Sequence, residues 1–450
     1  MYLSRWFATA ARGACRAGHA AGHRRRRRAT RSLGLSGRGR GAGRRGGPRR
    51  GHRNQRPADD QLCRLATCRC RQLGASHARH RCGAAGRRTL SPATHRLHRR
   101  GWHPALDALD GGNLLSWLGL DIGGANLKAA TLDGQAESRP LPLWQRPAEL
   151  AATLHELLAA AGPHENVAVT MTGELADCFA TKAEGVERIV AAVVDAAAPR
   201  RCYFYQTTGE LVSADEAREQ PLLTAAANWH ALARLAGQLA PEGFTLLLDV
   251  GSTTTDVIPV VAASPVTVGR TDPERLASFE LVYTGIERSP VAALVDALPW
   301  RGDLCPVAQE VFATTRDAYL IMEDLEERPT ATDTADGRPA TRAAAQVRLA
   351  RMICADESLL DAAEIRAMAE VVGSAQVELI GQAAARVIDR HAEPVTIVVS
   401  GSGEFVARRV IRYLDLPAQV ISLADRLGPS ASRCAAAVAV ARLAAEEVRV

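Results

Sequence analysis

Lysine is almost missing from this chain of 450 residues: of its 56 basic residues only Lys128 and Lys182 are lysines, the rest being arginines. Aromatic residues make up 4%, too few for the stacking platforms that single-stranded nucleic acid needs. No run approaches the ~18 uncharged apolar residues of a membrane-spanning helix, which argues against a membrane. Zinc-finger spacing is absent too. Cys15, Cys63, Cys68, Cys70 and Cys82 fall in the first quarter and match no such pattern, even at Cys68 and Cys70. Cys178, Cys202, Cys305, Cys354 and Cys434 are scattered in apolar or helical contexts, as expected of reduced thiols in a cytoplasmic protein.

Acidic residues are scarce on one side of Asn113 and abundant on the other. Residues 1–113 carry 27 arginines and four acidic residues, whereas residues 114–450 carry 29 basic and 45 acidic residues. Arginine runs such as His23 to Arg28 bury little and repel one another, so a disordered segment is expected over 1–113. A basic nucleic-acid arm would suit that charge, but without lysines or interleaved aromatics nucleic acid is an unlikely partner. The reading adopted is translation from a start placed too far upstream.

What is present is a glycine turn repeated at the ends of apolar strands. Thr245 to Pro259 reads TLLLDVGSTTTDVIP: an apolar run into Asp249, then Gly251, the hydroxyls of Ser252, Thr253, Thr254 and Thr255, then Asp256 and another apolar run. Leu118 to Lys128, LGLDIGGANLK, repeats the pattern, and aligning Asp121 with Asp249 puts Gly123 on Gly251 and Lys128 on Asp256. A third turn, Ser400-Gly401-Ser402-Gly403, closes the run from Val395. A turn without Cβ atoms lets backbone N–H groups face a ligand, and flanking carboxylates suit a hydrated Mg²⁺, so the pattern points to a phosphate site. The expected phosphate contacts are Gly123, Gly124, Asn126, Gly251, Ser252, Thr253, Thr254, Ser400, Gly401 and Gly403, with Asp121, Asp249 and Asp256 at the metal. Both lysines lie beside glycine-bearing turns, where a compact ammonium suits phosphate, and both are expected to face it.

The spacing predicts strands over 115–121, 126–132 and 138–145, a helix over 147–161, a strand over 167–171, a helix over 186–197, a strand over 201–205 and helical residues over 221–239. The order βββαβαβα is that of a ribonuclease-H-like lobe. A second set follows: strands within 244–268, helices within 342–390 interrupted near Cys354 to Leu360, a strand over 395–400, a helix over 404–414, an edge strand over 419–423 and a helix over 429–447. The fold expected is α/β, two ribonuclease-H-like lobes over 114–243 and 244–428 around a central cleft, with a closing segment over 429–450. Asp333 to Pro339 reads as a polar loop near the cleft mouth.

These motifs resemble the actin, sugar kinase and heat-shock ATPase superfamily, and DVGSTTTDV is similar to the hydantoinase A and oxoprolinase group. DIGGANLKAA, TMTGELADCF, KAEGV, TAAANWHALA, FATTRDAYL, TADGRPAT, ARMICAD and SGSGEF extend the resemblance over residues 115–446, to a group linked to tetrahydromethanopterin-dependent one-carbon transfer. That resemblance implies a methanofuran-type transferase joining an aminomethylfuran-methyl diphosphate to the phenol of γ-glutamyltyramine. It would make Lys128 or Lys182 the neutraliser of the leaving group, with Glu174, His230 or Asp317 as the base. An ATP-dependent hydrolase or kinase, or a nucleotide sensor, would need the same turns.

Overall fold

The computed structural model describes residues 117–447 apart from residue 357. The arginine-rich segment, its cysteines and the expectation of disorder over 1–113 lie outside the described residues. Two six-stranded mixed sheets organise the rest.

The first lobe runs β1 (Trp117–Ile122), β2 (Asn126–Thr131), β3 (Ala136–Pro140), α1 (Leu150–Ala161), β4 (Asn166–Met171), α2 (Lys182–Ala197), β5 (Arg201–Tyr205), β6 (Leu211–Val212), α3 (Ala214–Glu219), α4 (Pro221–Thr224) and α5 (Asn228–Leu239), in sheet order β3-β2-β1-β4-β5-β6. β1 and β4 are parallel and wholly buried, which is why they read as largely apolar runs, interrupted only by Asp121 in β1 and by Asn166 and Thr170 in β4. The second lobe begins with β7 (Phe244–Val250), β8 (Thr255–Val261), β9 (Ser264–Pro265), α6 (Asp272–Ala277) and β10 (Leu281–Val282). An inserted layer follows: α7 (Val291–Leu294), β11 (Ala297–Trp300), β12 (Asp303–Pro306), α8 (Thr315–Ile321) and α9 (Arg342–Arg351). Then come α10 (Ala362–Ile388), β13 (Thr396–Ser400), α11 (Glu404–Leu414), β14 (Gln419–Ser422), α12 (Leu423–Leu427), α13 (Pro429–Arg433) and α14 (Ala435–Glu447). The order β10-β8-β7-β13-β14, with β9 also on β8, repeats the first sheet's pattern. Each lobe is therefore ribonuclease-H-like, as expected.

Four local differences have physical reasons. β3 ends at Pro140 instead of running to 145, because Leu141 and Leu143 turn back to donate to the Ala125 and Gly124 carbonyls at 2.9 and 2.8 Å. α2 starts at Lys182, four residues early, because Thr181 caps it by accepting from the Glu184 N–H. The helical stretch 221–239 is interrupted at Ala225 to Ala227, where Ala226 takes a positive φ of 49°. The closing stretch is two helices, broken at Cys434.

One core lies between the two sheets. α5 and α14 fill it, with Trp117, Ala130 and Ala168 on one side and Leu247, Ile258 and Val398 on the other. The alanine richness of α14 follows from this position, since nearly every side chain along it is buried and must be small enough to let backbone approach sheet. Gly119 of β1 shows how close that approach is: a Cβ there would stand 1.9 Å from the Ala437 carbonyl oxygen. No helix among the described residues is long and apolar enough to cross a membrane. Gly119→Val is expected to destabilise the chain by about 1–3 kcal/mol or more, the cost of overpacking a filled core, read as a lowered thermal unfolding midpoint; an unchanged midpoint would contradict the close packing.

Candidate functional site

The same turn is built twice. At the end of β1 the Gly123 N–H donates to the Asn126 carbonyl at 3.0 Å, and at the end of β7 the Gly251 N–H donates to the Thr254 carbonyl at 2.9 Å. These two glycine N–H groups thus close their own turns, a correction to the expectation that they face a phosphate. The donors each turn can offer belong to its crest: Gly124 and Ala125 in one, Ser252 and Thr253 in the other, where two hydroxyls lie 3.4 Å apart. Gly123 is required because a Cβ would come within 2.8 Å of the Asn126 oxygen that closes the turn.

Strand register sets the charges beneath the turns. Asp121 lies opposite Lys128 on one side and Thr170 on the other; Asp249 lies opposite Asp256 and Ser400. In the first lobe Lys128 Nζ donates to Asp121 Oδ2 at 3.2 Å. Burial opposes the ammonium, but Asp121 beside it raises the lysine above its ordinary value. In the second lobe the residue at the lysine's place is another acid, Asp256, and the buried Arg275 binds it. Asp256, expected at a metal, therefore already has a cationic partner, and Arg275 is further fixed by stacking 4.2 Å from the Trp229 ring. Asp249 makes no ion pair among the described residues. Burial, with Asp256 and Asp121 adding like charge, pushes it up to about 7.

Lys182 differs from its expected role. Its Nζ bonds Asp272 of the opposite lobe at 2.6 Å and lies 3.7 Å from Glu174. The row continues through Arg275, 4.0 Å from Asp272, to Asp256, so alternating charges link the lobes along one side of the cleft. Glu174 is 1% exposed, and burial pushes it up to about 7 against the pull of Lys182. Its Oε2, like Asp121 Oδ1 and Thr170 Oγ1, is buried without a hydrogen-bond partner among the described residues. A polar atom in that state is costly unless a ligand or water meets it. The other two candidate bases have structural partners. His230 meets the Tyr205 hydroxyl at 2.8 Å, and burial with neighbouring arginines lowers it to about 4. Asp317 caps α8 through the Thr314 N–H and is held by Arg348.

At the third turn, glycine serves close packing. A Cβ on Gly401 would stand 2.2 Å from the Val250 oxygen and 2.8 Å from Asp249 Oδ1, and the Gly403 N–H donates to the Val250 carbonyl at 2.8 Å. Ser400 stays at the cleft floor beside Asp249.

A support for the second turn escaped the sequence reading. The N–H groups of Glu287 and Arg288 donate to the Ser252 carbonyl at 3.0 and 3.2 Å. Behind them the Gly285 carbonyl accepts from Thr315 Oγ1 at 2.8 Å and Gln376 Nε2 at 2.7 Å. Glu287 binds Arg316, which holds Asp333 at 3.0 Å, so the polar loop expected at the cleft mouth is tied to this turn. The one signal in the sequence was Gly285 within TGIERS, too short to interpret alone. Among the described residues no three His, Cys, Asp or Glu side chains converge as a metal cage. Mg²⁺ commonly needs only one or two carboxylates with substrate phosphates and water. Asp249, lacking a cation, and the unpartnered Asp121 Oδ1 fit that requirement.

A Cβ at Gly285 would stand 2.5 Å from Ser252 C and Thr253 N and push the crest aside. Gly285→Ala is therefore expected to weaken inorganic diphosphate binding by about tenfold, the scale of one lost hydrogen bond to a charged group. Calorimetric titration would show it, and unaltered affinity would remove this turn from the site.

Residues 165–447 match the hydantoinase/oxoprolinase family. A (4-{4-[2-(gamma-L-glutamylamino)ethyl]phenoxymethyl}furan-2-yl)methanamine synthase from Methanocaldococcus jannaschii is 32% identical over 332 residues, covering 72% of this chain and 96% of the relative. A synthase of the same name from Methanococcus vannielii is 29% identical over 205 residues, covering 45% of this chain and 91% of its own. Among solved structures, the activator of the 2-hydroxyisocaproyl-CoA dehydratase from Clostridium difficile aligns with 73% of this chain and 94% of its own at 11% identity and a TM-score of 0.35. With the family matched over most of the described residues, and a relative aligned along nearly its whole length, this chain belongs to the hydantoinase/oxoprolinase family.

Proposed function

We propose that this chain is a transferase of methanofuran-type cofactor biosynthesis that joins an aminomethylfuran-methyl diphosphate to the phenol oxygen of γ-glutamyltyramine and releases diphosphate. The observation that carries this reading is the 32% identity along 96% of a relative named for the corresponding furan methanamine product. Two turns whose crest N–H groups have no backbone partner among the described residues support it, because the chemistry asks chiefly for stabilisation of a leaving diphosphate.

In the reaction the bond between the furan-bound methylene and the diphosphate oxygen breaks, its electron pair leaving with the diphosphate. The phenol oxygen forms the new bond to the methylene and gives up its proton. The crest N–H groups of Gly124, Ala125, Ser252 and Thr253 receive the leaving group. Lys128, held toward the cleft by Asp121, adds positive charge. Asp249 and Asp121 Oδ1 would hold Mg²⁺, which when bound supplies further charge to the diphosphate. Glu174 takes the phenol proton, and Lys182 anchors that carboxylate through its other oxygen. Asp256 and Lys182 act through their partners and do not touch the diphosphate.

The reading is tested by incubating the protein with Mg²⁺ and either ATP or the furan diphosphate plus γ-glutamyltyramine. Diphosphate release with ether formation is the expected result; consumption of ATP alone would replace the transferase with an ATP-dependent hydrolase or kinase. The sign of the pH dependence follows from Glu174. Below about 7 its carboxyl keeps a proton and accepts none, whereas above that value it is free to do so. The rate is expected to rise as pH passes upward through 7 and then level off. Asp249 titrates in the same window, so Glu174→Gln decides the assignment. That variant should flatten the rise and slow turnover by about 10²- to 10⁴-fold, and an unchanged pH–rate profile would exclude Glu174 as the base.

A further inference from the structure

Two side chains meet across the cleft beside both turns. The Arg288 guanidinium carbon lies 4.7 Å from the centroid of the Trp144 ring. Trp144 follows Leu143, whose N–H donates to the Gly124 carbonyl at 2.8 Å, and the Arg288 N–H donates to the Ser252 carbonyl at 3.2 Å. Each side chain is thus carried by a segment bonded directly to the crest of one turn. Trp144 is half-buried and Arg288 exposed.

Arg288 differs from the other arginines around this turn. Arg275 holds Asp256, and Arg316 holds Glu287 and Asp333. Among the described residues Arg288 makes no ion pair. A guanidinium resting on an indole face at an exposed site is held weakly, and its planar fork matches a phosphate better than it matches an aromatic ring. The indole, in turn, already presents to a cation the electron-rich face that attracts positive charge.

We infer that Trp144 and Arg288 are the specificity-determining pair for an arylmethyl diphosphate. Arg288 leaves the indole to bind the diphosphate oxygens, and the aromatic ring bearing the reacting methylene takes its place against Trp144. This inference rests on the transferase reading and deepens it. As the carbon–oxygen bond breaks, electron density leaves the methylene with the diphosphate, and positive charge develops on the methylene and the ring conjugated to it. A stacked indole favours that charge more than the neutral ground state, so its effect belongs to the rate. Arg288 contacts the diphosphate before and after the bond breaks, so its effect belongs first to binding.

The test uses the full chain and four proteins: wild type, Arg288→Ala, Trp144→Leu and Trp144→Phe. Calorimetry with inorganic diphosphate reads the anion half, and turnover of the furan diphosphate with γ-glutamyltyramine reads the ring half. Arg288→Ala is expected to weaken inorganic diphosphate binding by about tenfold or more, as loss of a charge-assisted bidentate contact does. Trp144→Leu is expected to keep that affinity within about twofold yet lower kcat by about tenfold or more, while Trp144→Phe, which keeps a π face, recovers most of it. Wild-type diphosphate affinity in Arg288→Ala, or wild-type kcat in Trp144→Leu, would overturn the inference. Equal loss in the Leu and Phe variants would also overturn it, because shape and not the π face would then matter. If the wild type binds inorganic diphosphate but does not consume the furan diphosphate, the transferase reading falls. In that case the ring half falls with it, and the calorimetric comparison of Arg288→Ala still decides the anion half.

Discussion

Carboxylates at the ends of buried strands cannot stay charged without a counter-ion, and the site is arranged around the ways they find one. Asp121 takes Lys128 from the next strand. Asp256, which stands in the second lobe where Lys128 stands in the first, takes Arg275 from α6, the helix after β9. Glu174 shares Lys182 with Asp272 of the other lobe. Asp249 alone has no side-chain cation in ion-pair contact among the described residues, and it sits at the base of the second turn. Removing either partner of these pairs would leave an uncompensated buried charge, which is far more costly than the pair is stabilising. The two turns thus stand over an acidic floor, and on the proposed transferase reading the added positive charge would come from crest N–H groups, Lys128, Arg288 and a divalent cation.

Much of the scaffold was legible because strand burial writes itself as largely apolar runs. β5 and α11 fall where periodicity puts them, and the alignment of Asp121 with Asp249 carries through to cross-strand register, Lys128 and Asp256 occupying equivalent places. What sequence could not show is which partner a charge finds after folding. Arg275 lies 19 residues beyond Asp256, and Asp272 lies 90 beyond Lys182. Local pattern carries no information at such separations. Gly285, Trp144 and Arg288 escaped for a related reason: each acts through a contact with a turn remote in sequence. The glycine motifs did mark turns at the ends of buried strands, but they did not reveal that Gly123 and Gly251 use their N–H groups internally while Gly401 and Gly403 serve close packing.

The two lobes are alike in topology and unlike in chemistry. The first turn is closed off by the short return of residues 141–144, whereas the second is propped by residues 284–289 and, behind them, by Gln376, Thr315 and the Arg316 ion pairs. The second lobe's insertion thereby gives its turn a rigid backing that the first lobe lacks. One fold, used twice, yields an anchored half and a lighter half facing the same cleft.

The position of α14 has a consequence for how the chain is made. This helix covers β1, the first described strand, yet some three hundred residues separate them, and Gly119 touches Ala437 almost backbone to backbone. During synthesis the apolar face of the first sheet must therefore wait, without its final cover, until almost the last described residues leave the ribosome. Pairings of such high sequence separation form late and leave apolar surface open in the interval. The mostly alanine surface of α14, broken only by Val438, Val440 and Leu443 among its buried positions, then suits a helix that enters a space already bounded by two sheets.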